Sequence, residues 1–493
     1  MANLSAIKAI NTLMQESQET GEHCLKRTLG PVNLTMLGIG AIIGAGLFAR
    51  TAAAIADRSG PSVTLAFIVA GIGCAFAGLC YAEFASMIPV AGSAYTYSYA
   101  TMGELVAWII GWDLCLEYAV GAATVSIGWS EYFNRVLGWF GVQIPYAWCH
   151  SPLQHIEGAH GIMNVPAIFI LFLLTLLLIK GTKESAMVNG FIVVLKVTIV
   201  LMVIVLGWGF INPANHTPFI PAATTYTTPQ GLTHSYGGLM GILGGAGVVF
   251  FAYIGFDAVS TAAQEAKKPE RDMPIGILGS LVICTVLYVL FAYVLSGLAT
   301  VQDFRSSGRE ASVAFAITKY MHGYEWLSKS VTLAILAGFS SVILVMLLGQ
   351  TRVFYSMSKD GLVPKIFSDV HPKFRTPYKS NMLFFVFTGM FAGFLPEDIV
   401  GEMTSIGTLF AFILVCIGVW ILRAKRPDLP RAFKVRALPL VSILGVFVCG
   451  AMIFGLGWTN WLRLFVWLLI GLVFYFTYGI KHSKVQALLS APK

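Results

Sequence analysis

Long apolar stretches follow one another along the whole chain and are separated by short polar connections. A helix needs about 20 predominantly apolar residues to cross the hydrocarbon core of a bilayer. We expect helices 1 to 12 at 34–56, 62–86, 103–133, 164–180, 186–210, 237–263, 275–299, 328–357, 380–395, 400–422, 438–457 and 460–480. The pattern therefore predicts an all-α polytopic membrane protein with 12 transmembrane helices.

The composition agrees with this prediction. Of the 493 residues, 57% are hydrophobic and 11% are charged, whereas about 25% of the residues in a soluble domain are charged. So few charged residues could not keep a globular protein of this length in solution. The apolar stretches must therefore lie in a lipid bilayer. The prolines fall in connections, at helix ends or in first helical turns, and we expect none of them to break a helix.

The positive charges set the orientation, because lysine and arginine are retained on the cytoplasmic face. With the N-terminus inside, most of the 32 lysines and arginines fall on that face. We expect a multi-pass protein of the cell (plasma or inner) membrane with a cytoplasmic arm at 1–33 and a cytoplasmic tail at 481–493. The basic residues form no compact patch along the sequence, which argues against a nucleic-acid partner.

Two of the predicted helices are rich in glycine. Helix 1 contains GIGAIIGAGLF at 38–48, and helix 6 carries glycines at 237, 238, 241, 244, 245, 247 and 255. Small residues of this kind can serve close helix packing alone. However, helix 6 lies five helices after helix 1, and a repeat of odd length is inserted upside down. Paired glycine-interrupted helices in inverted halves indicate a transport site near the membrane midplane.

This arrangement predicts a five-helix repeat at 34–210, an inverted repeat at 237–422, and two further helices at 438–480. An unwound segment frees N–H and C=O groups that lipid cannot satisfy, so they must face a cavity or a ligand. Helix N-termini attract a carboxylate, and freed carbonyls accept hydrogen bonds from an ammonium group. A zwitterionic amino acid supplies both groups.

Four segments carry a family resemblance: GIGAIIGAGLF at 38–48, YAEFASMIPVAGSAYTYSYATMGE at 81–104, FFAYIGFDAVSTAAQEAKKPERDMPIGI at 250–277, and QTRVFYSMSKDGLVPK at 350–365. Through them the sequence resembles the amino acid–polyamine–organocation superfamily, and most of all the bacterial members of its cationic amino acid transporter family. The resemblance implies the 5+5 inverted-repeat fold of the leucine-transporter type, with helices 11 and 12 outside the repeat.

The resemblance also implies a substrate site. Backbone groups on helices 1 and 6 would line the α-amino and α-carboxyl groups of the substrate, and a methionine of helix 8 would form a wall. These residues are Ile42, Ile43, Gly44, Ala45, Gly46, Phe251, Ala252, Ile254, Gly255 and Met346. Ala45 departs from the family pattern, because relatives often carry serine or threonine there. A hydroxyl contact to the carboxylate is thus expected to be lost.

A lysine lies deep within helix 5. Lys196 is at least nine residues from either end of its apolar stretch, and a charge at the centre of a helix costs about 2.5 to 3.5 kcal/mol on insertion scales. Its plainest role is a structural pair with a carboxylate. The resemblance implies instead that a lysine here replaces the sodium ion of sodium-coupled relatives, whose sites use hydroxyls such as those of Ser340 and Ser341. We interpret Lys196 as the proton-coupling residue.

Two acidic residues also lie within predicted helices. Asp257 follows the expected break in helix 6, which favours a role in holding the unwound segment or in gating over a plain interhelical hydrogen bond. Glu117 of helix 3 could equally be a cavity residue or a structural one. The stretch at 350–365 carries positive charges typical of cytoplasmic anchoring, while the resemblance makes a gating loop plausible.

These observations predict a secondary active transporter for proton-coupled uptake of small neutral L-amino acids such as alanine. An apolar helix-8 segment, 345–348, argues against a cationic side chain in the site. A cationic amino acid transporter, an exchanger and a non-transporting amino acid sensor remain open alternatives. We find no HExxH or GxSxG motif and expect no enzyme activity, no metal and no cofactor. The expected partners are the substrate, a proton and membrane lipid, and the oligomeric state is left open.

Overall fold

The computed structural model describes residues 4–9, 12–13, 27–44, 46–88, 90, 92–156, 159–228, 233–306, 312–455 and 458–490. Ala45, one of the predicted site residues, lies outside the described residues. Within the described ranges the chain is mainly helical, with two short hairpins of two strands each.

Helical segments lie at all of the predicted stretches, and we label their principal helices α1 to α12 in chain order. They are α1 (Pro31–Ile42), α2 (Val63–Met87), α3 (Glu104–Gly138), α4 (Val165–Lys180), α5 (Thr182–Gly207), α6 (Gly238–Phe250), α7 (Pro269–Leu298), α8 (Glu325–Lys359), α9 (Tyr378–Phe394), α10 (Glu397–Lys425), α11 (Leu438–Gly455) and α12 (Trp458–Phe474).

Eight helices in the described part of the chain are long and apolar enough to cross a membrane. Three more, Pro31–Ile42, Val165–Lys180 and Leu438–Phe454, are apolar but shorter. The molecule is therefore a polytopic helical membrane protein. The number of twelve crossings and the inverted repeat stay predictions.

Short helices lie between these helices and, for the last two, after α12. They are the helices Ala94–Thr101, Val301–Ser306, Ser312–Tyr320, Ile480–His482 and Lys484–Ser490. Strand β1 (His155–Ile156) pairs antiparallel with β2 (Ala159–His160). Strand β3 (Thr224–Thr227) pairs antiparallel with β4 (Thr233–Tyr236), with Thr224 opposite Tyr236.

The first helix is interrupted within its glycine-rich segment. Helix α1 ends at Ile42, Ile43 is extended, and helical structure resumes with the π-helical turn Gly46–Arg50. It continues through Thr51–Ala54 to the turn Ile55–Ser59. The interruption falls where the glycine pattern predicts it, because glycines pack few atoms and leave the helix backbone less constrained.

The sixth helix is interrupted in the same way. After α6 the chain makes a 3₁₀ turn over Phe251–Tyr253, and Ile254 is extended. Gly255 follows with φ of +109°, a conformation that residues with a Cβ rarely adopt. The helix then resumes briefly at Ala258–Thr261.

The expected position of one proline is wrong: Pro274 lies inside a helix and not at its start, although the helix continues through it. Helix α7 begins at Pro269 rather than near 275, so Pro274 lies inside it. The apolar run marks only the part of the helix in lipid, while its first turn carries Glu270 and Asp272, where acidic side chains favour a helix N-terminus.

The two ends of the chain meet on one face of the molecule, which we call the termini face. The Lys8 ammonium lies 2.5 Å from the Asp360 carboxylate, and the Lys484 N–H donates to the Asp360 carbonyl at 3.0 Å. Helices α5, α7 and α8 all pack against α1. The described residues at the two interruptions, 42–44 and 251–256, are buried.

Candidate functional site

The two interrupted segments touch each other. A Cβ placed on Gly46 would lie 2.1 Å from the Ala252 Cα, and one on Gly255 would lie 2.7 Å from the Ala41 Cβ. Both distances are too short for a real side chain, so each glycine is required for the approach. On the other side of the first interruption, a Cβ on Gly44 would lie 2.5 Å from a methyl group of Val342. The two interruptions thus contact each other in the interior of the protein, and α8 packs beside this contact.

A tyrosine of α7 joins the two interruptions. The Tyr288 hydroxyl lies 2.7 Å from the Ile42 carbonyl and 3.0 Å from the Ala252 carbonyl. One hydroxyl hydrogen can serve only one of these acceptors at a time. The sequence analysis did not single out Tyr288, and the available signal was only a tyrosine within an apolar helix.

Lys196 lies at the first interruption. Its ammonium nitrogen is 2.7 Å from the Gly40 carbonyl, 2.7 Å from the Ile43 carbonyl and 3.4 Å from the Ser341 hydroxyl. In a regular helix the Ile43 carbonyl would accept from the Leu47 N–H, but that N–H donates to Gly44 instead. The lysine is fully buried, and three acceptors match the three donors of an ammonium group. Lys196 therefore satisfies carbonyls that the interruption frees.

The two serines of α8 face different neighbours. The Ser341 hydroxyl lies 3.0 Å from the Gly40 carbonyl and 2.6 Å from the Asn189 side-chain oxygen. The Ser340 hydroxyl accepts from the Trp129 indole N–H at 3.0 Å and donates to the Leu336 carbonyl. Only Ser341 thus belongs to the Lys196 cluster, and the lysine nitrogen already occupies the centre of that cluster.

The structure brings the two acidic candidates together. The Tyr118 hydroxyl donates to the Asp257 carboxylate at 2.5 Å. Glu117 interacts electrostatically with Asp257, and it lies in a π-helical turn of α3, Leu116–Val120. Both carboxyl groups are fully buried. The Glu117 oxygens make no hydrogen bond of normal geometry among the described residues, which is unfavourable for a buried charge.

Met346 lies one helical turn beyond Val342 on the same side of α8. Its sulfur would be 3.2 Å from a Cβ placed on Gly121, and a methyl group of Thr404 would be 3.1 Å from it. The lack of a side chain at Gly121 therefore lets Met346 and Thr404 pack closely against α3. This face of α8 is apolar at both Val342 and Met346.

One buried ion pair joins α8 to the segment that follows the second interruption. The Arg352 guanidinium donates twice to the Glu265 carboxylate, at 3.1 and 2.7 Å, and neither side chain is more than 2% exposed. The N–H groups of Thr28 and Leu29 both donate to the Glu265 carbonyl at 2.9 Å. Glu265 thus ties α8 to the chain before α1. Arg352 comes from the stretch at 350–365 for which anchoring and gating remained open.

A looser ion pair joins the resumed first helix to the start of α10. The Arg50 guanidinium is 3.3 Å from the Glu397 carboxylate, with the two side chains 24% and 17% exposed. The same guanidinium lies 5.3 Å from the centre of the Phe251 ring. The sequence analysis did not single out Arg50. Arg50 therefore links the start of the second interruption to α10.

This chain is similar to known proteins over most of its length. Residues 29–478 match a family model described as amino acid permease. The chain is 43% identical over 467 residues to the branched-chain amino acid permease BcaP of Bacillus subtilis, covering 95% of this chain and 96% of that protein. It is 38% identical over 486 residues to the methylthioribose transporter of Bacillus subtilis, covering 99% and 100%.

A third relative is the vacuolar cationic amino acid transporter 4 of Arabidopsis thaliana, 34% identical over 417 residues, which cover 83% of this chain and 65% of that protein. The family resemblance found in the sequence is thereby confirmed, and the relatives are transporters. The chain belongs to the amino acid permease family of the amino acid–polyamine–organocation superfamily, and it is a membrane transporter and not an enzyme.

Proposed function

We propose that this protein is a secondary active transporter of neutral aliphatic amino acids, which bind at the contact between the two interrupted helices. The observation that carries the proposal is the required glycine contact of Gly46 with Ala252. It gathers two stretches of non-helical backbone inside a membrane protein, where such backbone is tolerated only in a cavity or within protein.

In this proposal the backbone at 42–46 and 251–255 binds the α-amino and α-carboxyl groups, while Asp257 and Glu117 hold the second interruption. The substrate side chain points toward α8. The wall there, Val342 and Met346, is apolar and offers no partner for a guanidinium or ammonium group. A buried cation without a partner is strongly unfavourable, so an aliphatic side chain fits this wall best.

The relatives refine the substrate class. The sequence analysis predicts small neutral substrates such as alanine, and the 43% identical relative is named a branched-chain amino acid permease. Both substrate types are neutral and aliphatic, and we propose that class. The 38% identity to a methylthioribose transporter over nearly the whole chain supports that neutral thioether sugar as a second candidate. Cationic amino acids and an exchange mechanism are the remaining alternatives.

Coupling runs through Lys196 in this proposal. Protonated, it has three N–H donors for the Gly40 carbonyl, the Ile43 carbonyl and the Ser341 hydroxyl; deprotonated, it has only two, so one of these contacts is lost, which biases the arrangement of α1 and α5. The Arg352–Glu265 and Arg50–Glu397 pairs act as gates on the two faces during alternating access. The chain crosses the cell membrane twelve times in two inverted repeats, 34–210 and 237–422, with 438–480 outside them and the termini face in the cytoplasm.

Uptake into proteoliposomes tests the proposal. Labelled leucine and alanine should enter with saturable kinetics, and each should inhibit the other, while excess arginine should not compete. Arginine uptake that neither neutral amino acid inhibits would reverse the assignment to cationic substrates. Methylthioribose uptake without amino acid competition would favour the second candidate, and binding without any flux would indicate a sensor.

A pair of variants localises the site. Gly46→Val drives a branched side chain into the Ala252 backbone and should abolish uptake while the protein still inserts. Gly389→Val on α9 is the matched control, because a Cβ there meets no heavy atom within 4 Å. Normal uptake by well-folded Gly46→Val would place the substrate elsewhere.

A further inference from the structure

A small cavity lies beside Phe251, the first residue of the second interruption. Its volume is about 120 Å³, and it is bordered by the resumed first helix, α6 and α10. Among the described residues that line it, the charged ones are Arg50 and Arg58, and Ser405 adds a hydroxyl group. The cavity is large enough for a few water molecules or for a carboxylate.

Glycines make room for both guanidinium groups. A Cβ placed on Gly244 of α6 would lie 3.2 Å from a terminal nitrogen of Arg58, and one on Gly401 of α10 would lie 2.6 Å from a terminal nitrogen of Arg50. Larger residues at these positions would push the guanidinium groups away. The two cations are thus held at the cavity by the shapes of two neighbouring helices.

The nearby carboxylates do not fill this cavity. Glu397 contacts Arg50 at 3.3 Å, and Asp57 interacts electrostatically with Arg58, but neither carboxylate belongs to the cavity lining. The Arg50–Glu397 contact is a single long one between partly exposed side chains, and pairs of this kind contribute little to stability. Another carboxylate can therefore take the place of Glu397 on Arg50 at little cost.

We propose that Arg50 and Arg58 form an outer vestibule that receives the carboxylate of an arriving amino acid and disfavours substrates with a cationic side chain. This inference rests on the proposed function and adds a selectivity step to it. Arginine matches carboxylates with two parallel hydrogen bonds. Because Arg50 also lies over the Phe251 ring, a carboxylate bound there stands next to the second interruption.

The two guanidinium groups also act on the approach of the substrate. Clefts lined by one sign of charge raise association rates by about 10 to 1000 fold, and salt suppresses this effect. A neutral amino acid presents its carboxylate to the cations while its ammonium points to solvent. Arginine or lysine carries a second positive charge that the same groups repel. The vestibule therefore reinforces the selectivity of the apolar α8 wall.

Steady-state uptake by the full-length protein in proteoliposomes tests the vestibule. Leucine uptake is measured at about 10 mM and about 150 mM ionic strength, where the Debye length is about 30 and 8 Å. At the lower salt, Arg58→Gln should reduce kcat/KM about 3 to 10 fold, through KM with kcat unchanged, and the parent's salt dependence should flatten. Arg58→Lys should restore most of the loss. Inhibition of leucine uptake by arginine should become stronger in the Gln variant.

Lys329→Gln is the matched control. Lys329 is an exposed cation at the start of α8, 6.0 Å from the Trp139 ring and outside the vestibule, and its removal should change neither kcat/KM nor the salt dependence. Gly401→Ala provides a steric test, because it keeps every charge but displaces the Arg50 guanidinium. It should raise the leucine KM in the same direction as Arg58→Gln.

The failures of the two proposals are distinguishable. If the parent carries no amino acid, the proposed function fails and the vestibule fails with it. If the parent carries leucine and Arg58→Gln matches it in kcat/KM and salt dependence, only the vestibule is refuted. Equal losses of kcat/KM in Arg58→Gln and Lys329→Gln would show that the effect comes from the overall charge of the surface. A loss in Arg58→Gln that is confined to kcat would show a packing role for Arg58. Either result overturns the inference. Thermal unfolding of each variant checks its fold, and Arg58→Gln decides the test if Gly401→Ala does not fold.

Discussion

The replacement of Lys196 by alanine should uncouple transport from the proton gradient while leaving substrate binding largely intact. The change removes an ammonium group whose nitrogen lies 2.7 Å from both the Gly40 and the Ile43 carbonyl. The Gly40 carbonyl keeps the Ser341 hydroxyl as a donor at 3.0 Å. Only the Ile43 carbonyl therefore loses its side-chain donor.

The magnitude follows from these contacts. One buried acceptor without a donor lowers the free energy of unfolding by about 1 to 3 kcal/mol. Removal of a charge from the membrane interior recovers about 2.5 to 3.5 kcal/mol on insertion scales. The two terms nearly cancel, so Lys196→Ala should fold, and its substrate Kd should stay within about tenfold of the parent, equivalent to about 1.4 kcal/mol. Lys196→Met, which fills more of the side-chain volume, separates loss of charge from cavity formation.

The assay is uptake of labelled leucine into proteoliposomes with and without an inward proton gradient, in sodium-free and sodium-containing buffer. The parent should be accelerated by the gradient and indifferent to sodium, and both Lys196 variants should lose the acceleration. If either variant keeps it, Lys196 does not couple transport to protons. A parent that responds to sodium but not to pH would favour a cation site at Ser341 and a structural role for the lysine.

Two further predictions concern the contacts that hold the interruptions. Tyr288→Phe leaves the carbonyls of Ile42 and Ala252 without their shared hydroxyl, which should lower the free energy of unfolding by about 1 to 3 kcal/mol. It should also weaken the response of uptake to the proton gradient. Thermal unfolding and the same uptake assay measure these two effects, and unchanged values would show that the Tyr288 hydroxyl is dispensable. Glu265→Gln leaves the Arg352 charge buried without its partner, which should destabilise the protein by up to about 3 to 5 kcal/mol. Thermal unfolding measures this loss, and a melting temperature equal to the parent's would contradict a closing role for the Arg352–Glu265 pair.

The interruptions could be predicted from sequence because their cause is local. Glycine permits both the positive φ of Gly255 and the close approach of Gly46 to Ala252, and glycines are visible in any sequence. The depth of Lys196 was equally visible, since its distance from both ends of an apolar stretch can be counted. Its approach to the Ile43 carbonyl, however, depends on how α5 packs against α1.

The contacts that sequence reasoning missed join residues far apart in the chain. Tyr288 and Ile42 are separated by 246 positions, and nothing in the helix around Tyr288 indicates which carbonyl its hydroxyl meets. The role of Glu117 stayed open for the same reason, because its proximity to Asp257 depends on how α3 packs against the second interruption. From the sequence, Arg50 is an ordinary charge outside the lipid. Only the structure shows that its guanidinium lies in the space beside Gly401.

The bonding of the first interruption suggests how a proton could influence the substrate site. The carbonyls of Ile42 and Ile43 belong to successive residues; one accepts from Tyr288 of α7 and the other from Lys196 of α5. Tyr288 also reaches the Ala252 carbonyl of the second interruption. In the coupling proposed above, loss of the Lys196 proton would leave two N–H donors for three acceptors, one of which is the Ile43 carbonyl next to the Ile42 carbonyl that Tyr288 holds. Under this proposal the two protonation states would make different contacts with the same backbone, which is the condition for a ligand to shift a conformational equilibrium.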